Sequence, residues 1–245
     1  MAFDLSSTAT TKGLISSLLR SLFSGRITVF RNQEVPLFKV ERKVVAEVVA
    51  KTTIVDMSEA AKRRAKRELF YEHSSHLKPE PRQWVMVADT GCLALRNIDH
   101  LIPSDASGPH APPQVDFYWA RAGKDEISNP AATPGLWAVR GEHLPLVLER
   151  WKEAWNGELE PAEASMDEEI WTRVVRELPL RKRAFEKGEV VAPRIGAVDW
   201  EAVSNAAFVT VPDWPEKEAW KFLQALYFGT YLGDETGLML NILEA

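Results

Sequence analysis

The sequence predicts an α+β fold: a strand-rich N-terminal part with one or two packed helices, then a mainly helical C-terminal part. Three observations carry this. Short β-branched and aromatic runs concentrate before residue 140. Apolar residues at helical spacing dominate after it. A regular alternation of strand and helix, as a βαβ array would require, does not run through the chain.

The elements are expected in the following order. Residues 11–23 form a short amphipathic helix, with Leu14, Leu18, Leu19 and Leu22 near one face and Gly25 at its end. Residues 26–31 (RITVFR) form a strand. Residues 37–55 are Val-rich but interrupted by charge; they fit one long or two short strands, with a helix over 44–51 as an alternative. Asp56-Met57-Ser58-Glu59 has the spacing of a capping box and predicts a helix over 57–76, stopped by Lys78-Pro79-Glu80-Pro81. Residues 84–88 (WVMVA) read as a buried strand, with 92–95 pairing back as a hairpin across Asp89-Thr90-Gly91.

Residues 102–113 and 121–135 read as loops, and 115–120 and 136–139 as strands. Leu144, Leu148, Trp151 and Trp155 recur at helical spacing. Residues 166–187 are expected as helix with a break at Pro179, followed by short and long helices over 198–206 and 215–231. The acidic, turn-prone stretch from Gly157 divides an α+β domain (1–157, with basic helix 57–76) from a helical subdomain (158–245).

Charge is unevenly distributed. Residues 1–83 carry a net +6 and residues 84–245 a net −11, and all nine tryptophans lie in the acidic part. The single cysteine, Cys92, excludes an internal disulfide and any thiolate-rich zinc site, which favours a reducing, cytoplasmic location. No apolar stretch reaches the roughly 18 residues of a membrane span, and no membrane partner is expected.

Lys62, Arg63, Arg64, Lys66 and Arg67 would cover roughly 200° of the predicted helix, with Phe70 and Tyr71 on the same side. Cations bind phosphates and aromatic faces stack on bases, so these seven residues are candidates for nucleic-acid contact. Arg181, Lys182 and Arg183 are a second basic candidate cluster; cations at a helix C-terminus are the alternative reading. Trp214, in a Pro-flanked loop, is the candidate for a protein interface.

Signals for chemistry are sparse. His73 and His76 share a helix face, with Glu72 adjacent, and could bind one divalent ion together with a third ligand, but HxxH alone occurs often by chance. Glu41-Arg42-Lys43 has the spacing of a nuclease strand without the required preceding carboxylate. The patterns GxxxxGK[ST], GxGxxG and GxSxG do not occur. No catalytic residue, metal site or cofactor is expected from this. The resulting expectation is a non-catalytic subunit of a larger assembly that contacts nucleic acid through the basic helix and a protein partner through its Trp-rich surface. A purely protein-binding or structural component (adaptor, immunity protein or virion part) and a metal-dependent nuclease or hydrolase are the alternatives.

Overall fold

The computed structural model describes residues 2–4, 14, 17–18, 20–22, 24–32, 52–57, 71, 74, 77–89, 91–102, 115–121, 131–156, 164–186, 188–211 and 214–231. Seven strands form one mixed sheet: β1 (Ala2–Asp4), β2 (Ile27–Asn32), β3 (Thr52–Met57), β4 (Trp84–Asp89), β6 (Phe117–Arg121), β7 (Ala132–Arg140) and β8 (Lys182–Ala184). Their order is β3-β2-β1-β4-β7-β6-β8. The first four are mutually parallel, and only β7 runs against the rest. β5 (Cys92–Ala94), β9 (Val190–Val191) and β10 (Phe208–Thr210) make a smaller sheet with β10 in the centre. The described helices are α1 (Leu144–Asn156), α2 (Ala164–Glu177), α3 (Trp200–Asn205) and α4 (Glu216–Tyr231). Mixed sheets with strands early and helices late make this an α+β fold.

Two apolar layers follow from the period-two pleat. Val87, Phe117, Trp137 and Val139 face α1 and α2. Their neighbours Ala88, Tyr118, Leu136 and Ala138 face the opposite way, against Leu14, Leu18, Ile98 and Phe208. The first layer is built on indoles. Trp137, Trp151 and Trp171 lie within 6.3 Å of one another, centroid to centroid. Trp151 and Trp155, one helical turn apart on α1, both bury there. A third cluster sits under α4, where Phe222 and Leu223 meet Val209 and Val203.

Several local expectations are corrected. β3 continues through Asp56 to Met57, opposite Arg31 and Asn32, although the helix is expected to begin at residue 57; Glu59 and the capping contact lie outside the described residues. Residues 92–95 do not fold back on β4; Cys92–Ala94 pairs with Thr210–Phe208 instead. Residues 182–184 are not helical. After Leu178 the chain turns, and Lys182–Ala184 adds the outer strand beside β6. The first helix stops before Gly25, at a turn where Leu22, not glycine, takes a φ of 60°. β7 begins at Ala132 and is longer than the expected 136–139. The chain segment beyond residue 157 contributes β8 to the same sheet as β1.

Candidate functional site at the strand ends

In the parallel half of the large sheet the chain proceeds outward from β1 to β2 and β3, then returns to β4 on the other side of β1. The crossovers after β1 and after β4 therefore leave in opposite directions. Open sheets of this kind hold ligands in the crevice beyond the carboxyl ends of the strands where the order reverses. Here that point lies between β1 and β4.

The register places specific residues there. Ala2 pairs with Ala88 and Phe3 with Asp89, so Asp4 and Asp89 occupy adjoining strand ends. Asp4 is opposite Arg31, and Arg31 is opposite Asp56. Carboxylate-bearing positions thus recur across the ends of β1, β3 and β4. Asp89 is half-buried, at the end of a strand whose preceding residues Val87 and Ala88 are sealed in the two cores. Among the described residues no group of three or more His, Cys, Asp or Glu is placed to hold a metal ion.

The small sheet adjoins the end of β4. Val211 N donates to Gly91 O at 2.8 Å, which ties the end of β10 to the turn after Asp89. A Cβ on Gly91 would sit 3.3 Å from the Val211 carbonyl oxygen, so glycine permits this approach. Below it the buried Cys92 thiol lies 3.4 Å from Thr210 Oγ1 and 3.5 Å from Gly135 O. Gly135 belongs to an irregularity in β7: Trp119 pairs with Trp137 but Ala120 pairs with Thr133. Bulges of this type re-aim side chains next to active sites.

Lys62, Arg63, Arg64, Lys66, Arg67 and Phe70 fall outside the described residues, as do His73, His76 and Glu41-Arg42-Lys43. Tyr71 packs edge-on against Trp155, and its hydroxyl donates to Glu149 and accepts from Lys152. That bond to Tyr71 raises the Lys152 pKa. Arg181 is chelated by Asp116, and Arg183 pairs with Glu186. Lys182 Nζ donates to the carbonyls of Val175, Arg176 and Leu178 at the end of α2. Burial lowers its pKa. Trp214 donates its indole N–H to Pro193 O, meets the Phe222 ring at a tilted angle with centroids 4.7 Å apart, and is half-buried.

Neither a protein-family model nor a curated protein matches the sequence. Solved structures do resemble the chain. The glycosyltransferase GlyE of Streptococcus pneumoniae TIGR4 superposes with a TM-score of 0.55 at 10% identity, covering 98% of this chain and 62% of that one. Its apo form gives 0.53 at 12% identity, covering 98% and 61%. The chain shares its overall fold with these two structures. It spans somewhat under two thirds of the length of these relatives. A glycosyltransferase involved in glycosylating the major capsid of PBCV-1 aligns with 81% of the chain at 15% identity, with a TM-score of 0.48.

This likeness overturns the expectation of a non-catalytic, nucleic-acid-contacting subunit of an assembly. The architecture is one used by enzymes. The described basic cluster is also engaged inside the molecule: Arg181 and Lys182 hold β8 and the end of α2. Asp89 was legible in the sequence only as part of a turn. Its one available signal was an acidic residue directly after an apolar strand, which acquires meaning only once the strand order is known.

Proposed function

We propose that this chain binds a nucleotide-activated sugar and transfers, or helps to transfer, its glycosyl group. The observation that carries the reading is the reversal of strand order between β1 and β4, in a fold shared with glycosyltransferase structures. Glycosyl transfer requires a donor with a good leaving group, and a nucleoside diphosphate or monophosphate supplies one. The carboxyl-end crevice of a parallel half-sheet is where nucleotides bind in doubly wound folds.

In this reading the Asp89 carboxylate accepts hydrogen bonds from ribose or sugar hydroxyls, since an ionised carboxylate is acceptor-only. The Gly91–Val211 tie and the β7 irregularity form the opposite wall. Rigid strand ends position such groups better than free loops do. The test is to incubate the purified chain with UDP-, GDP- and CMP-linked sugars and follow nucleotide release. Release from one donor class, reduced in Asp89→Asn, supports the proposal. No release and no binding of any donor would remove it.

A further inference from the structure

Arg121 shares with Asp89 one end and one side of the large sheet. β4 and β6 both run against β7, so they point the same way. Val87 pairs with Trp137, and Trp137 pairs with Trp119, which makes one row across the three strands. All three residues pack on the side of α1 and α2. Asp89 and Arg121 each stand two residues further along their strands, at the carboxyl ends. Alternation therefore puts both on that same side, level with each other. The irregularity between the two strands lies in β7 and leaves β6 alternating: Trp119 packs with the first layer and Ala120 with the second.

β7 alone separates β4 from β6, so the two strand ends lie about 10 Å apart. Gly135, next to Leu136 in β7, adds no side chain to the row between them. Arg121 is exposed, and among the described residues its side chain has no hydrogen-bond or ion-pair partner. Arg31, also at these strand ends, stands between Asp4 and Asp56 in the register. Just past β8, Glu186 is held by Arg183 at 2.6 Å. The helix side of this end thus carries a carboxylate at β4 and an uncommitted guanidinium at β6.

A nucleotide has the same polarity. Its ribose offers hydroxyl donors, which a carboxylate accepts. Its phosphates are anions, which a carboxylate repels and a guanidinium binds through parallel N–H donors. We propose that Arg121 binds the phosphate of the donor nucleotide, which lies across the strand ends with its hydroxyls at Asp89 and its phosphate at β6. This rests on the nucleotide-sugar reading above. It adds the direction in which the nucleotide lies and the residue that meets its charge.

The test is calorimetric titration with UDP, GDP and CMP, and with uridine, guanosine and cytidine. It is run on the parent chain, Arg121→Gln, Arg121→Lys and Asp89→Asn. For the nucleotide that binds, Arg121→Gln should weaken the phosphorylated form about tenfold or more and leave the bare nucleoside unchanged. Arg121→Lys keeps the charge without the planar fork and should recover part of the loss. Rising salt should weaken nucleotide binding more in the parent than in Arg121→Gln. Equal nucleotide affinity in the parent and Arg121→Gln, with Asp89→Asn still weakening it, would overturn the role of Arg121 and leave the nucleotide site standing. Equal losses for nucleotide and nucleoside in Arg121→Gln would also overturn it, since the phosphate would then not be what Arg121 meets. No binding of any nucleotide at millimolar concentration would remove both the site and this role.

Discussion

Asp116 and Arg181 hold each other through four hydrogen bonds. Asp116 N donates to Arg181 O at 2.8 Å, and Arg181 N returns a bond to Asp116 Oδ2 at 3.3 Å. The guanidinium then donates from Nε to Oδ2 and from Nη2 to Oδ1, at 2.8 and 2.9 Å. This bidentate pair joins the start of β6 to the chain leading into β8. Arg140, itself buried, approaches the same carboxylate at 3.8 Å.

Burial pushes the Asp116 pKa up, but the hydrogen bonds and charge of Arg181 more than offset this and hold it below the ordinary value of 3.8. A depressed carboxylate pKa contributes stability that is fully present above the unfolded value and is lost as pH falls through the folded one. Asp116→Asn should therefore be less stable than the parent at neutral pH, and the difference should shrink below about pH 3.8. Denaturant unfolding across pH checks this. A gap that stays constant down to pH 2 would show that the charge is not what matters.

Lys182 is the C-terminal cap of α2, where its ammonium meets carbonyls that have no intrahelical partner. Lys182→Met keeps most of the stem and removes the donors. It should cost about 1–2 kcal/mol, read as a lower thermal midpoint. A midpoint equal to the parent's would mean that water satisfies those carbonyls equally well.

Trp171 is fully buried, and its ring lies 4.7 Å from Trp151 and 5.2 Å from Trp137. Trp171→Ala should destabilise by about 3–5 kcal/mol through lost burial and the cavity left behind. Trp200, 49% exposed, provides the contrast: Trp200→Ala should change stability far less. Equal costs for the two would contradict the core described above.

Leu22 sits 79% exposed at a φ of 60°, where an L side chain is disfavoured. Leu22→Gly removes that conflict without opening a core cavity. It should raise stability by about 0.5–1 kcal/mol, and a decrease would show that the leucine makes a contact worth more than its strain.

Much of the fold was legible because its signals are local. The runs RITVFR and WVMVA are β-branched enough to become β2 and β4, and Leu144 to Trp155 shows its helix through spacing alone. What was misread depends on distant partners. Lys182 and Arg183 look like a helix end, yet β6 supplies the neighbour that makes them an edge strand. Met57, expected to begin a helix, pairs with Asn32 of β2 instead. Cys92–Ala94 finds its partner more than a hundred residues away, in β10. The candidate site was hidden for the same reason: Asp4 and Asp89 become neighbours only through parallel pairing, which leaves no mark at either position.

The most direct test is calorimetric titration of the chain with UDP, GDP and CMP, repeated in Asp89→Asn. Saturable binding of one nucleotide, weakened about tenfold or more (~1.4 kcal/mol) by the substitution, is the predicted result. No heat from any nucleotide at millimolar concentration, or identical affinity in the two proteins, would contradict a nucleotide-sugar site at the β1–β4 strand ends.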